Sequence, residues 1–361
     1  MTALPPGATI GILGGGQLGR MLAMAAARLG LKSAIYSDAS GPAFDVAATS
    51  TIGAYDDLEA VRRFATSVDV VTYEFENVPC ASAEAAAAIR PVRPGVKALE
   101  VAQDRLTEKQ FIAQLGLPVA PFAPIDGEEE LHKAARALGL PAILKTRRLG
   151  YDGKGQARLK EASDLNGACA AIGNAPAILE GMVDFLIEVS VLLVRGVDGD
   201  TRVYDVPKNT HANGILDTST VPAPISEKTR ARAADIANQI ANALDYVGVL
   251  AVELFFIGED AAEPLIINEI APRVHNSGHW TIDACAVNQF ENHIRAVAGW
   301  PLGDATRHSD AVMTNLIGAD VNNWAKMAAE PSAGLHLYGK NDPRPGRKMG
   351  HITHISPKSG D

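Results

Sequence analysis

The sequence predicts an α/β chain that opens with a doubly wound parallel sheet, continues into an α+β region and ends in a β-rich segment. Three observations carry this. Short apolar runs alternate with helical periodicity over the first hundred residues. A glycine turn, Gly14-x-Gly16-x-x-Gly19, joins the first run to the first helix. From about Asp104 the texture changes to apolar strands interrupted by single glutamates.

Taken in order, Ala8–Leu13 is an apolar strand that enters Gly14–Gly19 and an Ala/Leu/Met-rich helix to about Leu29. Lys32–Tyr36 is a second strand ending at Ser37-Asp38, Asp56–Ser67 a helix and Asp69–Phe75 a strand. Ser82–Ile89 is an alanine-rich helix, followed by a strand ending near Arg93-Pro94. Helices over Arg105–Leu115 and Glu128–Leu138 are each stopped by glycine and proline. Ala142–Thr146 is a strand leading into a glycine-rich loop, and Pro176–Glu180 is another strand. Ile187–Arg195, Arg202–Pro207 and His211–Thr218 read as a meander. Glu227–Leu244 is a long helix, Val249–Ile257 and Leu265–Ile270 are strands, and Asp283–Ala298 is a helix ending at Gly299. After Pro301 the pattern is mostly short strands and turns.

Composition excludes several classes. Hydrophobic residues are 47% of the 361, too many for a disordered chain. With 33 basic and 42 acidic residues the net charge is −9, which speaks against a nucleic-acid partner. No apolar stretch of about 18 residues is present to span a membrane, and no signal peptide is expected. Three scattered cysteines lack disulfide or metal spacing, as expected in the cytoplasm.

Several clusters carry chemistry. Gly14–Gly19 with Asp38 fits a dinucleotide fingerprint, although a plain strand–helix turn uses the same glycines. Gly150-Tyr151-Asp152-Gly153-Lys154-Gly155-Gln156 follows a strand that holds Lys145. Its glycines let backbone N–H groups wrap a phosphate while lysines add charge. Glu253 and Glu269 each interrupt an apolar strand, and a hairpin centred on residue 261 sets them face to face. Opposed like charges call for a cation between them, and with phosphates they form a Mg²⁺ site. Directly beyond lie Arg273, His275, Asn276 and His279, crowded into a loop suited to a charged reactant. Glu74 and Glu76 end a strand of the first domain and share a face by period two. Lys340, Arg344, Arg347 and Lys348 form either a phosphate clamp or a solvated basic loop.

The lysine strand, the glycine loop, Glu180, Glu188 and the glutamate pair resemble the ATP-grasp fold. Within it, five runs are similar to the 5-(carboxyamino)imidazole ribonucleotide synthase family: Gly14–Arg20, Tyr73–Asn77, Gly150–Gln156, Asn268–Thr281 and Gly346–His351. The resemblance spans residues 10 to 354. It implies a Rossmann-like domain over 1–103, an ATP-grasp domain over 104–300 with a lid at about 118–183, and a small C-terminal domain over 301–361.

It further implies that ATP is held by Arg105, Lys145, the Gly150–Gln156 loop, Glu180-Gly181-Met182-Val183, Glu188, His211 and Asn268-Glu269. Mg²⁺, with Mn²⁺ as a substitute, sits on Glu253 and Glu269. Ala271 stands where the wider ATP-grasp pattern has asparagine, and Asn268 is expected on the other strand face. Arg273, His275, Asn276 and Asp152 form the implied catalytic set. Gln17, Glu76, Tyr151, Lys340 and Arg347 meet the nucleotide substrate, with the first helix N-terminus facing it. The implied reaction joins bicarbonate to the amine of aminoimidazole ribonucleotide through carboxyphosphate, in a cytoplasmic homodimer. An NAD(P)-dependent oxidoreductase and a catalytically silent nucleotide-binding module are the alternatives.

Overall fold

A computed structural model describes residues 3–150 and 155–359. The first hundred residues contain β1 (Thr9–Leu13), α1 (Gln17–Arg28), β2 (Lys32–Ser37), β3 (Thr49–Ile52), α2 (Leu58–Thr66), β4 (Val70–Tyr73), α3 (Cys80–Ala87) and α4 (Val96–Ala102). The four strands are parallel, in the order β3-β2-β1-β4. Ile10, Ile12 and Leu13 of β1 are inaccessible, as both faces of a central parallel strand are covered by helices. The strand expected at Arg93 shrinks to one bridge, Val71 to Val92. Pro91 and Pro94 flank it and have no N–H to extend a ladder.

Next come α5 (Arg105–Gln114), β5 (Phe122–Ile125), α6 (Glu128–Leu138), β6 (Ala142–Thr146), β7 (Gln156–Leu159), α7 (Ala168–Ala171) and β8 (Ala177–Gly181). Their strands make an antiparallel sheet ordered β5-β8-β6-β7. Leu131 of α6 packs with Leu144, Leu159 and Leu179 in its own core.

The remainder is β9 (Ile187–Arg195), β10 (Thr201–Val203), β11 (Lys208–Ala212), β12 (Ile215–Val221), α8 (Glu227–Ala243), β13 (Gly248–Phe256), β14 (Leu265–Ala271), α9 (Thr281–Ala284), α10 (Gln289–Ala298), β15 (Ser309–Ile317), α11 (Trp324–Ala328), β16 (Ala333–Leu337) and β17 (Lys348–Pro357). One nine-stranded sheet runs β14-β13-β9-β11-β12-β15-β17-β16, with β10 paired to β9. The strands after residue 301 thus extend the central sheet through the antiparallel β12–β15 pair.

Four expectations change here. His211–Thr218 is not one strand: Asn213 and Gly214 take φ of 52° and 77° and turn β11 into β12. The strand read over Arg202–Pro207 is confined to β10. The helix expected from Asp283 starts at Gln289, because Asn288 caps it by accepting from the N–H groups of Phe290 and Glu291. The tail holds two long strands, β15 and β17, of nine and ten residues. Helix α10 lies between the sheets, with nine of its ten residues buried. His293 Nε2 meets Thr72 Oγ1 of β4 at 2.9 Å, and its Nδ1 accepts from Val249 N of β13 at 3.1 Å.

Candidate active site

Strands β13 and β14 form an antiparallel hairpin in which Glu253 and Glu269 are direct partners. The ladder is regular from Phe256–Leu265 to Leu254–Ile267, after which Asn268 is an extra residue, a β-bulge. A bulge re-aims the side chains beside it. Asn268, expected on the far face, therefore joins Glu253 and Glu269 in lining a cavity of about 940 Å³. Desolvation raises the Glu253 carboxyl to about 7, and the charge of Glu269 adds to it. Desolvation also opposes ionisation of Glu269, but Arg105 outweighs it and holds that group at about 2. Arg105 Nη1 donates to Glu269 Oε2 at 2.8 Å.

The loop after β14 brings Arg273, His275 and Asn276 to the same cavity. Arg273 Nε donates to Glu76 Oε2, which ties this loop to the first domain. Burial pushes the Glu76 carboxyl up, and Arg273 more than offsets it, so the net direction is down. His275 Nδ1 accepts from Ser277 N at 3.3 Å, which leaves the proton on Nε2, 3.1 Å from Glu253 Oε1. Burial, then the charge of Arg273, lowers this imidazole to about 3. A buried donor chain stands behind it: Ser219 Oγ donates to Asn209 Oδ1, Asn209 Nδ2 to Ser190 Oγ, and Ser190 Oγ to Ser277 Oγ. Asn276 and Asn315 of β15 exchange amide hydrogen bonds at 3.0 and 2.8 Å.

The smaller sheet and its loop bring Lys145, Gly150 and Gln156 to the cavity, while Glu188 of β9 and His211 of β11 line it from the central sheet, beside the glutamate hairpin. Lys145 Nζ donates to Glu180 Oε2 at 3.0 Å, and the buried Glu180 Oε1 has no partner among the described residues. His211 Nδ1 lies 3.0 Å from Glu188 Oε2. Burial opposes its protonation, yet Glu188 prevails and raises its pKa. Gly150 O accepts from Arg105 Nη2 at 3.2 Å. Gly155, Glu180, Gly181, Met182 and Val183 are not part of the cavity wall. Tyr151, Asp152, Gly153 and Lys154 lie outside the described residues.

The first glycine turn departs from expectation. Gly16 N and Gly19 N both donate to the carboxylate of Glu74, which lies at the N-terminus of α1. A Cβ on Gly16 would sit 2.5 Å from Glu74 Oε1, and one on Gly14 2.3 Å from its Cγ. The glycines make room for an internal acid, not for a pyrophosphate, and this removes the footing of the NAD(P) reading. Glu74 and Glu76 do not share a face either, because β4 ends at Tyr73 and the chain turns. Beside this turn, a cleft of about 360 Å³ is lined by Gln17, Asp38, Lys340 and Arg347. Gln17 lines both cavities, Lys348 lines the larger one, and Arg344 lines neither.

Two carboxylates and an amide oxygen are a hard oxygen set of the kind that Mg²⁺ and Mn²⁺ take. Asn268 Oδ1 is buried without a hydrogen-bond partner among the described residues, as an oxygen intended for a cation would be. The residues present fit the metal. Sequence reasoning missed Asn315 and the Ser190–Asn209–Ser219 chain, since nothing local marks these residues. It had Glu74 but not its role; the signal available was an acid one residue past an apolar strand that neighbours a glycine turn.

A central sheet edged by a glutamate hairpin, with a smaller antiparallel sheet bearing a lysine and a glycine loop, defines an ATP-grasp ligase. The ATP-grasp domain model matches residues 110–290. The ribonucleotide synthetase preATP-grasp domain matches 7–103, and the phosphoribosylaminoimidazole carboxylase C-terminal domain 311–361. The N5-carboxyaminoimidazole ribonucleotide synthase of Brucella melitensis is 54% identical over 361 residues, covering 99% of each chain. An ADP complex of an N5-carboxyaminoimidazole ribonucleotide synthetase superposes with a TM-score of 0.94 at 42% identity, covering 99% of this chain and 94% of that one. The synthase of Aspergillus clavatus with ADP and 5-aminoimidazole ribonucleotide gives 0.91 at 30% identity, covering 98% and 95%. The chain belongs to the N5-carboxyaminoimidazole ribonucleotide synthase family.

Proposed function

We infer that the protein uses ATP to carboxylate the exocyclic amine of 5-aminoimidazole ribonucleotide with bicarbonate, giving N5-carboxyaminoimidazole ribonucleotide in purine biosynthesis. One observation carries the reading. The Glu253/Glu269 pair and the Arg273–His275–Asn276 loop open into one cavity, which adjoins the Gln17–Lys340–Arg347 cleft. A phosphoryl donor, a small anion and a phosphorylated acceptor thus have adjacent places.

Bicarbonate is a poor electrophile, and phosphorylation gives it a leaving group in the form of carboxyphosphate. Arg105, Lys145 and the Gly150–Gln156 loop orient the ATP phosphates, with Glu188 and His211 facing the nucleotide from the central sheet. Glu253, Glu269 and Asn268 would hold Mg²⁺, or Mn²⁺ in its place, and a cation there would supply charge neutralisation for phosphoryl transfer. Arg273, His275 and Asn276 donate to the bicarbonate oxygens. With its basicity so reduced, His275 serves as a donor and not as the base that takes the amine proton. The amine then attacks the carbonyl carbon, and the departing phosphate is basic enough to take that proton. Water must be excluded throughout, a task for the smaller sheet that carries the glycine loop.

ADP release, measured with each reactant omitted in turn, tests this. It should require Mg²⁺ and be strongly stimulated by aminoimidazole ribonucleotide with bicarbonate. Equal stimulation by an unrelated amine, and none by this nucleotide, would sink the assignment. The reading also takes the enzyme as a cytoplasmic homodimer, on the strength of the family resemblance; a one-chain mass by light scattering would overturn the second part. No helix among the described residues is long and apolar enough to cross a membrane.

A further inference from the structure

Strand β14 is an edge of the nine-stranded sheet, so one row of its N–H and C=O groups has no strand beside it. Helix α5 and the segment after it take that row. Ile267 N donates to Pro118 O at 2.8 Å. Lys109 Nζ donates to Asn268 O at 2.7 Å and to Ile267 O at 3.3 Å. Glu108 Oε1 accepts from Ile270 N. Both α5 side chains are buried, Lys109 at 1% and Glu108 at 2% exposure.

The two carbonyls at Lys109 are the informative part. In a regular strand, successive carbonyls point to opposite edges. Here those of Ile267 and Asn268 converge on one ammonium, because Asn268 is the bulged residue that interrupts the ladder between Ile267 and Glu269. The third direction of the ammonium faces Glu180 Oε2, at 3.5 Å.

We infer that Lys109, with Glu108, sets the register of the metal-binding strand by gripping β14 on both sides of its bulge. Without the grip, two buried carbonyls would face each other unpaired, and a regular ladder would relieve them. That ladder puts Asn268 opposite Glu253. A one-residue slip also turns Glu269 to the other face of the sheet, away from Arg105 and from the cation. Lys109 is thus a positioning residue. It stands outside the cavity and acts through the backbone of the strand that carries Glu269.

The inference rests on the metal reading above but not on the identity of the acceptor. Its test therefore uses Mn²⁺ binding to the protein–ADP complex, followed by electron paramagnetic resonance of free Mn²⁺ without the ribonucleotide. Lys109→Met should weaken Mn²⁺ binding by about 10- to 100-fold, the range for a partner that orients a ligand. ADP affinity without metal should change far less. The crystal structure of the variant should show Asn268 opposite Glu253. If the methionine variant fails to fold, Lys109→Leu, which likewise removes the donor, carries the same two measurements. An unshifted register overturns the inference whatever the metal does. An equal loss of ADP and Mn²⁺ binding overturns it too, because Lys109 would then act through Glu180.

Discussion

At neutral pH Glu269, held near 2, is fully ionised, whereas Glu253, raised to about 7, still carries its proton about half of the time. A divalent cation must displace the proton that Glu253 keeps. Below about pH 7 the carboxyl is increasingly protonated, so metal affinity should fall about tenfold per pH unit; above it, affinity should level off. Mn²⁺ titrations between about pH 5.5 and 8 read this slope, and a flat profile would reject the assignment of Glu253 as a ligand. Glu269→Gln retains size but removes charge, and should lower kcat at least about 100-fold, since a placed metal contributes several kcal/mol. Wild-type turnover would mean that the pair holds no catalytic metal. At this scale the sequence was informative about the glutamate pair and the Arg273–Asn276 loop, because charged residues inside or just beyond apolar strands stand out. It was silent on which charges are already used: Glu76 is bound to Arg273 across 197 positions.

Elements were legible where periodicity was strong, as in α1, α8 and β9, and lost where exposure erased it. All four residues of β3 are exposed, so no apolar pattern marks that strand. The Asn213-Gly214 turn was available as a hairpin signal and was overlooked inside an apparently continuous strand. The glutamate hairpin is subtler. Its loop-centred reading found the right pair, yet the register needs the bulge at Asn268, which no spacing rule contains. The start of α1 shows the same limit, since a fingerprint for a dinucleotide encloses Glu74. Glu74→Gln presents an NH₂ group to one of two N–H donors. It should cost roughly 1.5–3 kcal/mol, the value of a hydrogen bond to a charged group. Urea unfolding measures that loss, and saturable NADH binding by the wild type would contradict a turn filled from within.

The whole site is assembled across the chain: the loop after β14 is tied to the first domain through Arg273 and Glu76, and to β15 through Asn276 and Asn315. Helix α10 fixes the first sheet against the central one through Thr72, His293 and Val249. Such long-range pairing has no local signature. The tail reaches the first domain in the cleft shared by Lys340, Arg347 and Gln17. If these cations hold the monoester phosphate, Lys340→Ala or Arg347→Ala should raise KM for the ribonucleotide roughly 10- to 150-fold, the equivalent of about 1.5–3 kcal/mol. The change should fall on KM and not on kcat, because that phosphate is remote from the reacting amine, and KM for ATP should barely move. Initial rates with the ribonucleotide and its phosphate-free nucleoside separate the cases: equal weakening of both would mean that the tail only supports the fold.

The family boundaries divide the chain near residues 290–311, but the β12–β15 pair runs straight across that division. A chain ending at 300 would leave the row of backbone groups on β12 open to solvent, and the detached tail would expose the matching row on β15. Each is an edge that invites pairing with another copy of itself. The tail is therefore also the piece that covers an edge of the largest sheet, and a chain shortened there should self-associate through the strand it leaves bare.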